Sequence, residues 1–178
     1  MERVKLPLSP ETIQNLHAGQ AVSLEGEIYV ARDAAHARLV RLIQEQKPLP
    51  FDLRGAVIYY MGPTPTPPGA IIGSCGPTTA SRMDPFAPTL LAHGLAGMIG
   101  KGQRSPAVLE AIVRYGAVYF YAFGGCGAFY ASRVEKNELV AFEDLGPEAI
   151  YKLFVRDFLV IVANDCHGKS AFYEPALP

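Results

Sequence analysis

Thiols are scarce in this sequence: Cys75, Cys126 and Cys166 are the only three, and none belongs to a CxxC pair. An odd count without paired spacing argues against a disulfide framework. Three thiolates can hold an iron–sulfur cluster that leaves one iron open, but this spacing matches no compact ligand run. Buried or incidental thiols are the expectation. An excess of charge is also missing, since 16 Lys and Arg face 17 Asp and Glu for a formal net charge of -1. No global field therefore draws the chain to nucleic acid or to an anionic membrane. No window approaches the roughly 18 apolar residues of a membrane span. The opening "MERVKLPLSPETIQNL" lacks the continuous apolar stretch of a secretory signal, so the cytoplasm is the expected location. Repeats and low-complexity segments are absent, and so is the GxxxxGK[ST] spacing of a Walker A loop.

What is present is a globular balance. The 178 residues are 49% hydrophobic and 19% charged, enough apolar material for a sizeable core in a single domain over 1–178.

Glycine and proline punctuate the elements. "LSPETIQNLHAG" reads as a short helix, with Ser9 as N-cap, Pro10 at the first position, Glu11 in the first turn and Gly19 as the stop. "AVSLEGEIYVARD" alternates as a strand does. "AAHARLVRLIQEQ" carries Leu39, Leu42 and Ile43 at helical spacing, so a helix starts near Asp33 or Ala34. "GAVIYYMG" is a short buried-strand run. Residues 62–69, "GPTPTPPG", form a rigid extended loop, either a linker or the rim of a pocket. Beyond it "AIIGSCG" reads as a strand, "DPFAPTLLAHG" as a helix, "LAGMIGKG" as a strand and "SPAVLEAIVRYG" as a helix capped by Ser105 with Pro106 in its first turn. "AVYFYAFGGCGAFYA" is a strand that breaks at its glycines. The tail holds a short strand, a helix near 147–153 and a last strand through Leu159–Val162. Such alternation predicts an α/β fold with a parallel or mixed sheet and helices packed on it.

The stretch "GPTTASRMD", residues 76–84, then falls at a strand's carboxyl end, where open α/β sheets bind ligands. Backbone N–H groups, the hydroxyls of Thr78 and Thr79 and the guanidinium of Arg82 together suit an anion, because arginine grips a carboxylate through two parallel hydrogen bonds. On a helical turn Thr78 and Arg82, four residues apart, share a face. The plainer alternative is a capped helix whose Arg82 pairs with a nearby acid such as Asp84. "MIGKGQRS" repeats the logic, with Lys101 between Gly100 and Gly102. In "ARDAAH", Arg32 again follows a strand and precedes a helix that Asp33 is placed to cap. Taken singly, Lys101 reads equally as a solvated turn lysine and Arg32 as a surface charge. Three cations at three strand ends in a nearly neutral chain suggest a site for a dianion such as a dicarboxylate.

These segments, "ARDAAH", "GPTTASRMD" and "LLAHGLAGMIGKG" in that order, resemble the class I fumarate hydratase and L-tartrate dehydratase family, specifically the β subunit, equivalent to the carboxyl-terminal domain of the single-chain enzymes. The likeness runs from "VSLEGEIYVARDAAH" to "EAIYKLFVRDFLVIVANDCHG". It implies a swivelling β/β/α fold with a mixed sheet and flanking helices. It also implies an iron–sulfur hydro-lyase acting on a C4 dicarboxylate, fumarate to malate or tartrate to oxaloacetate. The 4Fe–4S cluster would be bound by a partner α subunit and not by this chain, leaving no metal ligand here. Arg32, Arg82 and Lys101 would hold substrate carboxylates beside Thr78 and Thr79, and Thr78 would lie near the reacting carbon. An isolated threonine hydroxyl is a poor base, so a partner acid is a candidate for that role. His36 reads as a helix-capping or otherwise satisfied histidine, and His93 has no site role. Two departures stand out: Ser81 lies where many relatives have glycine, and "VANDCHG" replaces an acidic pair followed by Lys-Gly. The alternatives from other classes are a non-catalytic anion-binding module and a purely structural subunit.

Overall fold

The computed structural model describes residues 1–172. Its strands are β1 (Glu2–Lys5), β2 (Ala21–Val30), β3 (Val57–Tyr59), β4 (Gly97–Gly100), β5 (Val118–Tyr121), β6 (Val134–Ala141) and β7 (Ile150–Asn164). Its α-helices are α1 (Pro10–Asn15), α2 (Asp33–Gln44), α3 (Ala87–Ala92), α4 (Pro106–Tyr115) and α5 (Gly127–Ala131). Ala80–Met83 and Glu143–Glu148 are 3-10 turns.

Parallel pairing joins β2 to β3, β3 to β4 and β4 to β5. The long β7 runs antiparallel to β2 along one edge, from Ala21↔Ile161 to Val30↔Tyr151. Its other edge takes β6 near its start and β5 near its end. Strands β2, β3, β4, β5 and β7 therefore close on themselves, barrel-like, and β1 and β6 are the outer strands. The fold is a mixed α/β arrangement of seven strands flanked by helices, as the strand–helix alternation predicts.

Strand alternation sorts the core into two layers. Val57, Tyr59, Ile99, Val118, Phe120, Val160 and Val162 belong to one, joined by Ile13 of α1 and Tyr130 of α5. Ile58, Tyr60, Met98 and Tyr119 point the other way, onto Leu39 of α2, Leu90 and Leu91 of α3, and Val108 and Ile112 of α4. Ser9 caps α1 by accepting from Thr12 N at 3.0 Å, with Pro10 at the first position.

Four expectations change. "AIIGSCG" is no strand: the segment folds back on the proline loop, with Thr64 N donating to Ser74 O at 3.1 Å and Ser74 N to Thr64 Oγ1 at 2.8 Å. No helix covers 147–153, because Pro147 and Gly146 at φ 57 end a 3-10 turn. Ile150 then opens β7, which far exceeds Leu159–Val162. "AVYFYAFGGCGAFYA" keeps its strand only to Tyr121, and its last part forms α5. Glu2–Lys5, not anticipated, adds β1 to the edge of β2. Among the described residues, no helix is long and apolar enough to cross a membrane.

Candidate anion site

Because β2 to β5 run parallel, their carboxyl ends share one rim. The pairs Val30↔Tyr59, Tyr59↔Ile99 and Gly100↔Tyr121 set the order in which the residues just past these strands line that rim: Arg32, Gly62, Lys101, Gly124. The 76–84 stretch crosses this rim where β3 and β4 part. Thr78 N donates to Tyr60 O at 2.7 Å, Lys101 N to Thr78 O at 3.2 Å, and Ala80 N to Lys101 O at 2.8 Å. Gly100 permits the approach, since a Cβ there would stand 3.0 Å from both Ala80 Cβ and a Tyr60 ring carbon.

Two of the three cations meet. Arg82 donates from Nε to Asp33 Oδ1 at 3.1 Å and from Nη2 to Oδ2 at 2.8 Å, a two-point grip on one carboxylate. Arg32 Nε lies 3.9 Å from the same Asp33 Oδ2 and 3.8 Å from Glu148 Oε1. That Nε is buried without a hydrogen-bond partner. Arg32 lies flat against Gly62, where a Cβ would stand 2.4 Å from Nη1. Lys101 enters through its backbone ties to Thr78 and Ala80, and its side chain passes Gly124. Among the described residues Lys101 makes no ion pair. Thr78 is half-buried and Thr79 exposed.

Several local expectations change here too. Thr78 precedes the 3-10 turn, so it shares no helical face with Arg82. Asp33 is the first residue of α2 and not its cap; the N-cap position is Arg32, and the Asp33 carboxylate serves Arg82. Asp84 pairs not with Arg82 but with buried Arg104, Nε to Oδ1 at 2.7 Å. His36 is fully buried between Tyr60 and Phe86. Its Nδ1–H donates to Arg32 O at 2.8 Å, which helps fix the start of α2. Burial pushes its pKa down to about 4, so the ring is neutral. Asp33, Gly62, Arg104 and Glu148 are neighbours that local pattern did not mark as part of the site.

The family described as Fumarase C-terminus matches residues 1–175. The chain belongs to that family. A fumarase C-terminus relative, the anaerobic class I fumarate hydratase of Escherichia coli, is 43% identical over 86% of this chain and 28% of its own length. Fumarate hydratase 1, mitochondrial, of Leishmania major is 39% identical over 92% of this chain and 31% of its own length. The chain thus spans under a third of those fumarate hydratases. A Methanocaldococcus jannaschii protein, named provisionally as L(+)-tartrate dehydratase subunit beta, is 36% identical over 98% of this chain and 92% of its own length.

The three cysteines are free, Cys75 and Cys166 buried and Cys126 half-buried. Among the described residues no three His, Cys, Asp or Glu side chains converge as metal ligands. Cys75 is buried, its Sγ donates to Gly73 O at 3.2 Å, and burial pushes its pKa up to about 12. Burial also raises that of Cys166.

Proposed function

We propose that this chain is the small subunit of a class I hydro-lyase that adds water to, or removes it from, a C4 dicarboxylate. In this reading it acts as one domain, in the cytoplasm, and only with a larger α subunit that holds the 4Fe–4S cluster. A relative named as a beta subunit, matched over 92% of its length, supports the two-chain arrangement. Fumarate and malate are the favoured pair, with tartrate as the second.

The observation that carries the reading is Asp33: Arg32, just past β2, and Arg82, in the Ala80–Met83 turn, converge on one carboxylate. Groups so arranged suit a second carboxylate, that of a substrate, with Lys101 and the hydroxyls of Thr78 and Thr79 beside them. Removing an α-proton pushes charge into the adjacent carboxylate, and preorganised donors at that oxygen stabilise the transition state. Thr78 would carry a hydroxyl near the reacting carbon, with the proton taken by a stronger base.

The test is Arg82→Ala in the reassembled two-subunit complex, assayed with malate and with tartrate. Loss of turnover with intact assembly supports the reading. Unchanged turnover removes Arg82 from the site, and loss of assembly first would make the arginines interface groups.

A further inference from the structure

Arg104 is an unusual residue to bury. Its side chain has no exposure, and its partner Asp84 keeps only 11%. The guanidinium carbon lies 5.3 Å from the Tyr60 ring centre and 4.9 Å from that of Tyr119. Nε donates to Asp84 Oδ1 at 2.7 Å, and Nη2 stands 3.5 Å from Tyr60 Oη. The other Asp84 oxygen accepts from Ser105 N at 2.7 Å. Tyr119 Oη donates to Gly102 O at 2.9 Å.

The two Asp84 contacts join two loops, and Tyr60 and Tyr119 back them from the sheet. Asp84 ends the 3-10 turn that carries Arg82, and Arg104 lies three residues beyond Lys101. The same two loops are already tied at their near ends by the Thr78, Ala80 and Lys101 backbone bonds. The result is a closed frame with Arg82 and Lys101 on it, and Tyr60 serves both ends: its carbonyl accepts from Thr78 N, and its ring backs Arg104. Burying an ion pair costs desolvation that its attraction often fails to offset, so stability alone does not account for it. A carboxylate shared between Arg104 Nε and Ser105 N, and a planar guanidinium against two rings, do impose a fixed geometry.

We infer that Asp84 and Arg104 are positioning residues that fix the spacing of Arg82 and Lys101 without touching substrate. The inference rests on the proposed hydro-lyase reading, and three variants of the reassembled complex test it with malate as substrate. Asp84→Asn/Arg104→Met keeps an acceptor for Ser105 N and replaces the ion pair by neutral groups of similar size. It is expected to assemble and to melt near wild type, yet to lose at least tenfold in kcat/KM through a higher KM. Arg104→Lys, which retains the charge but not the fork, is expected to show the same loss. Arg82→Ala runs in parallel. If Arg82→Ala is fully active, the hydro-lyase site itself is wrong. If Arg82→Ala is inactive while a folded Asp84 or Arg104 variant has wild-type kcat and KM, only the positioning role fails. If none of the Asp84 and Arg104 variants assembles, the pair is a stability element and the inference is also wrong.

Discussion

Arg82 and Asp33, 49 positions apart, meet edge to edge, with two N–H groups of the guanidinium on two oxygens of the carboxylate. Side-chain exposures of 48% and 33% leave this pair well solvated. Such a pair contributes under about 1 kcal/mol to stability. Its use is orientation: with Nε and one edge of Nη2 committed to Asp33, the remaining N–H groups of Arg82 keep a fixed direction.

Asp33→Asn therefore separates stability from function. The variant should melt within a few degrees of wild type. In the two-subunit complex its kcat/KM for a dicarboxylate should fall about tenfold, equivalent to about 1.4 kcal/mol. A large drop in melting temperature with unchanged kcat/KM would assign Asp33 to the fold instead.

Arg82→Ala removes a donor outright. A lost transition-state donor costs on the order of 3 kcal/mol, about a hundredfold in rate. Steady-state kinetics at matched complex concentration checks this, and size-exclusion chromatography checks assembly.

Gly62→Ala tests Arg32 without altering it. The new Cβ would stand 2.4 Å from Nη1 and 3.1 Å from Cδ of Arg32, so the flexible end of the arginine must move. Gly62 itself is not in the left-handed region. KM should rise several-fold while thermal stability changes little.

His36 gives a pH dependence with a defined sign. Its folded pKa, about 4, lies below its ordinary 6.5. The unfolded chain binds this proton first, so the stability is complete above about pH 6.5 and is lost as pH falls toward 4. At pH 5 the loss is about 2 kcal/mol. Denaturant titrations at pH 7 and pH 5 should show it in the wild type. His36→Gln, which keeps a donor for Arg32 O but cannot titrate, should lose much of the difference.

The sequence marked starts and ends better than partners. Ser9 with Pro10, and Ser105 with Pro106, announce their helices because these signals are local; Ser9 caps through its hydroxyl, whereas Ser105 holds the N-cap position without a side-chain cap bond. Arg32 and Lys101 were legible for a similar reason, since each stands just past a strand, β2 and β4; Arg82 was marked by its turn residues and hydroxyls, although the strand expected before it is absent. Pairings at long range were not. Asp33 looked like a cap because Arg82 comes 49 residues later, and Asp84 looked like a partner for Arg82 because Arg104 lies 20 residues on. The segment 70–76 has a strand's composition, but Thr64 engages it from within the proline loop, and no local rule shows that. Charged Arg156 and Asp157, the latter at φ 50, interrupt the apolar pattern of β7 and conceal its length.

The most direct test of the central claim is a crystal structure of the two-subunit complex with a bound C4 dicarboxylate. The account predicts one substrate carboxylate within hydrogen-bond distance of Arg82 and Arg32, with Lys101 and Thr78 lining the same cavity. A dicarboxylate bound productively with those four side chains out of reach would contradict it.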